Sequence, residues 1–197
     1  MRASSHVLDS GQRQESGASE AFTDSLVQDD MAQRQLAIQK LVAVRQYAHL
    51  DGEPCKLLDG LYVGSLGAAR NLEGLRKRGV THVLNASPIV PCFHRGHFRY
   101  KCVPVYDDAD EDISSFFSET NRFIAKGRRR GAVLVHCYAG QSRSVAFAIA
   151  YLCAYQGMSL AEAHELVLSA RPRARPNAGF MQQLAVYAER VQKSDGL

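Results

Sequence analysis

The stretch from Gly131 to Tyr155, "GAVLVHCYAGQSRSVAFAIAYLCAY", most constrains how this chain can fold. "GAVLVH" is an unbroken apolar run, the pattern of a strand buried on both faces, and "SVAFAIAYLCAY" is an apolar run of helical length. Strand first and helix second, with only Cys137 to Arg143 between them, describe the middle of a largely parallel sheet. Similar segments surround it. "LYVGS", "THVLNAS" and "FRYKCVPV" read as further strands, with helical patterns around Ala68 to Arg78 and from about Ile113 to Lys126. Three helices are predicted after the central strand, near Ser144 to Gln156, Ser159 to Ala170 and Ala178 to Val191. Ser159 with Glu162 forms a capping box for the second, and the prolines of "RPRARPN" end it. The expectation is an α/β domain with a central, mostly parallel sheet flanked by helices and a helical extension at its N-terminus.

The rest of the chain bounds the possibilities. At 197 residues and 46% hydrophobic, the composition suits one domain plus a tail. Residues 1–30 are rich in Ser, Gly, Gln and acid, and are expected to be a disordered tail. From Met31 to Leu50 there is no Gly, Pro or acid, and apolar residues recur at near-helical spacing among Arg34, Lys40 and Arg45, so a basic amphipathic helix is expected. The α/β domain would then run over 54–192. No segment approaches a membrane span, and no secretory signal is apparent. The acids among the first thirty residues contradict a transit peptide. Five cysteines without a CxxC pair suggest neither a disulfide framework nor a zinc knuckle, which fits a reducing cytoplasmic or nuclear setting. The net charge of +4 and the lack of Trp give nucleic-acid binding no support. The histidines show no metal-ligand spacing.

Cys137 to Arg143 falls at a strand's carboxyl end and a helix's amino end, where ligands bind in open α/β sheets. A short turn there aims several backbone N–H groups into one concavity, and the helix N-terminus adds partial positive charge, so the loop is an anion site. Gly140 permits the tight backbone. A cysteine in this position favours its thiolate form, and Arg143 offers a planar fork for two phosphoryl oxygens. These residues point to phosphoryl transfer through a thiophosphate intermediate. Such a reaction needs an acid for the leaving oxygen. Asp107, directly after the strand-like "CVPV", is the candidate; Asp112 reads as a helix cap, and Asp108 and Asp110 as solvated, with Asp108 the alternative acid. A lone cysteine at such a turn would ordinarily be inert packing. Its company of His136, Gly140, Arg143, Ser144 and Asp107 argues for chemistry.

"HCYAGQSRS" fits the HCxxGxxR[ST] signature of cysteine-dependent protein phosphatases. From about Leu57 to Glu189 the chain resembles the small dual-specificity phosphatases, carrying "LLDGLYVGS", "GVTHVLNAS", "VPVYDDADEDISSFF", the signature, "SVAFAIAYL" and "RPRARPNAGFMQQL" in family order. With its helical lead-in it is most similar to plant-type small members. The resemblance implies a protein-tyrosine-phosphatase-like fold and catalysis without a cofactor or metal. It implies Cys137 as nucleophile, Arg143 as phosphate clamp and Asp107 as general acid. His136 would orient and tune the thiolate, and Ser144 would stabilise it as a leaving group. The N–H groups of Tyr138, Ala139, Gly140, Gln141, Ser142 and Arg143 would line the cradle, and Asn177 would brace the acid loop or the cradle.

The lack of Trp also implies that the acid loop and deep pocket of larger tyrosine-specific relatives are missing. A shallow pocket accepting phosphoserine and phosphothreonine as well as phosphotyrosine is expected. The neutral Tyr138, Ala139, Gln141 and Ser142 disfavour phosphoinositides, and the sequence lacks the glycine before the arginine that marks glucan phosphatases. Mitogen-activated protein kinases are the substrates the resemblance suggests, with Arg171, Arg173 and Arg175 as steering charges or as a solvated loop. The alternatives are a phosphoprotein-binding pseudophosphatase or scaffold, a phosphatase for phosphoinositide or phosphoglucan, and a rhodanese-like sulfurtransferase, which would leave Asp107 unexplained. The helix from Met31 to Leu50 either docks on the domain or binds a calmodulin-like partner or a membrane. Cys92 and Cys102 read as packed or exposed thiols, or as redox partners of Cys137.

Overall fold

The computed structural model describes residues 31–194 apart from 32, 37 and 40, so the expected tail over 1–30 lies outside the described residues. The chain divides into two compact units, residues 1–44 and 45–197. In the first, the described residues from Met31 to Val44 are helical. The second opens with helical residues 45–50 (α1).

Cys55–Leu58 (β1), Leu61–Gly64 (β2), Val80–Asn85 (β3), Arg99–Cys102 (β4) and Ala132–His136 (β5) form one sheet of five strands, ordered β1-β2-β5-β3-β4. β5 pairs in parallel with β2 and β3, and β3 in parallel with β4; only β1 is antiparallel, turning into β2 through Asp59 and Gly60. All of β5 is buried. Its alternate side chains serve opposite faces: Val133 and Val135 join one core cluster, Ala132 and Leu134 the other. This is why the segment shows no polar alternation.

Leu66–Arg70 (α2) and Leu72–Lys77 (α3) cover one face, while Phe117–Arg128 (α4), Arg143–Gln156 (α5), Leu160–Ala170 (α6) and Ala178–Ser194 (α7) cover the other. α5 lies in the middle of that layer, buried from Arg143 to Cys153. The Phe117 ring meets Phe147 edge-on at 5.9 Å and Tyr187 at 4.8 Å, tying α4, α5 and α7 together. The capping box of Ser159 and Glu162 is present.

Local chemistry revises several boundaries. The helix expected over Ala68 to Arg78 is two helices, because Asn71 turns its side chain back to accept the Gly74 N–H at 2.8 Å. The strand expected over "FRYKCVPV" stops at Cys102, two residues before Pro104, which has no N–H to give a ladder. The helix expected from Ile113 begins as a 3₁₀ turn, Ser114–Phe116, with the Asp112 carboxylate accepting the Ser115 N–H at 3.2 Å. β1 escaped notice because four residues at a sheet edge carry too little periodicity. Among the described residues no helix is long and apolar enough to cross a membrane.

Candidate active site

The loop from Cys137 to Ser142 leaves β5 at the carboxyl edge of the sheet and enters α5. Its four middle carbonyls, Tyr138 to Gln141, are each met by a donor from another segment of the chain. The carbonyl of Tyr138 accepts the Leu66 N–H at 2.9 Å, and that of Gln141 accepts the Arg175 N–H at 2.6 Å. Arg171 donates from Nη2 to Ala139 O at 3.0 Å and from Nε to Gly140 O at 2.5 Å. In a trans peptide the N–H points opposite to the carbonyl, so the amides that follow these four carbonyls face the loop's interior. Gly140 shows the result: its N–H donates to Cys137 Sγ at 3.2 Å. Gly140 sits at φ 66°, and a Cβ there would lie 2.5 Å from Gly64 O, so conformation and space both require glycine.

The Cys137 sulfur is buried and lies 3.3 Å from Ser144 Oγ. Arg143 is also buried. Its Nη1 donates to Ser87 Oγ and to Val105 O, both at 3.3 Å, which anchors the guanidinium to the ends of two neighbouring strand segments. Asp107 meets the same group, Oδ2 lying 3.6 Å from Arg143 Nε. Its Oδ1 accepts the Ser142 hydroxyl at 2.6 Å and Asn177 Nδ2 at 3.1 Å. Asn177 also donates its backbone N–H to Ser142 Oγ at 3.2 Å and accepts the Phe180 N–H on its side-chain oxygen, capping α7. It therefore touches both the acid-bearing loop and the cradle loop.

His136 is fully buried, and burial pushes its ring pKa down to about 4. The neutral ring reaches the cysteine through the backbone, Nδ1 lying 3.3 Å from Cys137 O, while Nε2 finds no partner among the described residues. Asp108 and Asp110 are exposed; Asp108 accepts the Asp110 N–H in a local turn at 3.1 Å.

One sequence expectation is corrected. Arg171 does not steer ligands from a solvated loop, for it is 3% exposed and committed to the back of the cradle. Cys92 is half-buried and Cys102 exposed, as the reading of packed or exposed thiols expects, and their sulfurs lie 3.0 Å apart. Ser87 and Arg171 were missed as site residues; nothing local in the sequence marks either one. No cluster of metal-ligating side chains is found among the described residues.

An amide-lined loop around a buried thiol, with a bidentate-capable arginine and a carboxylate beside it, defines a phosphate-handling centre. Comparison with known proteins agrees. The family described as dual specificity phosphatase, catalytic domain, matches residues 61–190. The chain is 42% identical over 162 residues to Dual specificity protein phosphatase 1 of Arabidopsis thaliana, covering 80% of this chain and 82% of that protein. It is 41% identical over 139 residues to MAP kinase phosphatase with leucine-rich repeats protein 3 of Dictyostelium discoideum, covering 70% of this chain but only 16% of that one. The crystal structure of human DUSP28 superimposes with a TM-score of 0.69 at 38% identity, covering 71% of this chain and 95% of that one. The chain belongs to the dual specificity phosphatase family and is a protein phosphatase of that class.

Proposed function

We propose that the protein hydrolyses phosphotyrosine and phosphoserine or phosphothreonine in proteins through a cysteinyl-phosphate intermediate on Cys137. The observation that carries this reading is the outward turn of the four carbonyls from Tyr138 to Gln141, with the Gly140 N–H on Cys137 Sγ. In the first step the phosphoryl group sits among the loop amides and the Arg143 fork, and the thiolate forms the S–P bond as the P–O bond to the substrate breaks. Asp107 gives its proton to the departing oxygen. In the second step water attacks phosphorus, Asp107 takes the water's proton, and the S–P bond breaks to release phosphate and the thiolate. Ser144, at 3.3 Å from the sulfur, donates to the thiolate as it leaves.

The test is turnover of an aryl phosphate by Cys137→Ser, which should lose activity while still binding an oxyanion such as tungstate. Turnover at the wild-type rate would overturn the mechanism.

Mitogen-activated protein kinases phosphorylated on Thr and Tyr are the proposed substrates. The support is the similarity to the Dictyostelium protein named as a MAP kinase phosphatase. A panel of phosphorylated kinases assayed beside phosphoinositides and phosphoglucan tests this, and faster turnover of either non-protein substrate would reverse it. We further propose a calmodulin-like partner for the described residues from Met31 to Val44, whose Ile38, Leu41 and Val42 are exposed. Absence of complex formation with calcium-loaded calmodulin would remove that proposal.

A further inference from the structure

The family match begins at residue 61, yet the back of the phosphate cradle is completed by residues before it. Arg171 holds the carbonyls of Ala139 and Gly140, and thereby sets the direction of the Gly140 and Gln141 amides. A buried guanidinium between neutral carbonyls still needs a counter-charge and a fixed position. Asp51 supplies both: its Oδ2 accepts from Arg171 Nη2 at 2.5 Å, with side chains 13% and 3% exposed. The Tyr47 hydroxyl accepts from the same Nη2 at 3.3 Å, and its ring packs against the Arg173 guanidinium at 4.0 Å.

The segment that brings these two residues is itself fixed against the cradle's neighbour. Ser65 Oγ bonds Asp51 O at 2.8 Å and Ala48 O at 3.3 Å, while also capping α2. The next residue, Leu66, donates its N–H to Tyr138 O. At Gly67 a Cβ would lie 2.7 Å from Asp51 O and 2.8 Å from Ala48 O, so the two backbones touch. One continuous set of contacts thus runs from Tyr47 and Asp51 through Arg171 to the amide on the reactive sulfur.

We propose that Asp51, seconded by Tyr47, is a positioning residue for the reaction: it holds Arg171 so that the amides of Gly140 and Gln141 stay aimed at the phosphoryl group and the thiolate. The segment just ahead of the family's catalytic domain is therefore a working part of the enzyme. This rests on the reading of Cys137 as the nucleophile.

The experiment compares the full-length protein with Asp51→Asn, Asp51→Glu and Tyr47→Phe. It measures kcat and KM on an aryl phosphate, the pH dependence of Cys137 alkylation by iodoacetate, and the melting temperature. Asp51→Asn should lower kcat/KM by about tenfold or more, the range of one charge-assisted hydrogen bond. It should also move the midpoint of the alkylation curve to higher pH. Asp51→Glu, which keeps the carboxylate, should recover most of the rate, and Tyr47→Phe should show the same changes more weakly. Wild-type kcat/KM and an unmoved alkylation curve in Asp51→Asn would overturn the proposal. So would a lowered melting temperature with that curve unmoved. If Asp51→Asn does not fold, Tyr47→Phe decides by the same two readouts. Turnover at the wild-type rate by Cys137→Ser would instead overturn the nucleophile reading beneath it.

Discussion

The Ser142 hydroxyl donates to Asp107 Oδ1 at 2.6 Å, joining the cradle loop to a carboxylate on a different segment of the chain. Asn177 bonds both partners of this pair. The acid is therefore held by the same loop that binds phosphate. Removing one such hydrogen bond is worth about 1 kcal/mol. Ser142→Ala should lower kcat several-fold on an alkyl phosphate, whose leaving oxygen needs a proton. Asp107→Ala should lower it ~100 to 10,000-fold on that substrate, and much less on an activated aryl phosphate. Equal losses on both substrates would show that Asp107 acts structurally or that Asp108 is the acid.

Among Cys102, Cys137 and Cys153, thiol reactivity should be confined to Cys137. Burial raises the Cys153 thiol to about 11, and burial together with the neighbouring Cys92 raises Cys102 to about 11. Each is then a thiolate in roughly one molecule per ten thousand at neutral pH. Brief treatment with iodoacetate at pH 7 should label Cys137, read by peptide mass spectrometry, and leave Cys102 and Cys153 unmodified. Labelling of Cys153 at a comparable rate in the folded protein would contradict the burial described.

His136 makes a pH-dependent contribution to stability. Its folded pKa of about 4 lies below that of the unfolded chain, near 6.5. The unfolded state therefore binds the extra proton between these values. The contribution is complete above pH ~6.5 and is lost as pH falls toward ~4, by about 3 kcal/mol in all. Urea unfolding of wild type and His136→Gln from pH 7 to pH 4.5 should show their stability difference shifting against wild type as the solution is acidified. A difference independent of pH would be inconsistent with a buried neutral ring.

Gly140→Ala should injure the enzyme twice. A side chain at φ 66° costs about 1 kcal/mol, and its Cβ would press on Gly64 O and on Arg171 Nη2 at 2.7 Å. Displacing the amide on Cys137 Sγ by a fraction of an ångström should lower kcat by up to about a hundredfold in protein that still melts cooperatively. Activity near wild type would show that the cradle tolerates a different turn.

The chemistry that depends on neighbours in the chain was legible in the sequence. A continuous apolar strand, a short loop with one glycine and an apolar helix place Cys137, Gly140, Arg143 and Ser144 around one point, because both ends of the loop are set by regular elements. Asp107 could be read because it follows a strand that ends at the same sheet edge. Other relationships link residues far apart in the chain. "RPRARPN" has the composition of a solvated basic loop, and nothing local distinguishes Arg171 from Arg173 or Arg175. Only the tertiary structure buries Arg171 behind Ala139 and Gly140 and brings Asp51 to it. A charge can be buried only where a counter-charge and acceptors meet it, and that meeting depends on the packing of the whole domain. The sequence by itself determined which atoms can react. The fold decided which distant groups hold them in place.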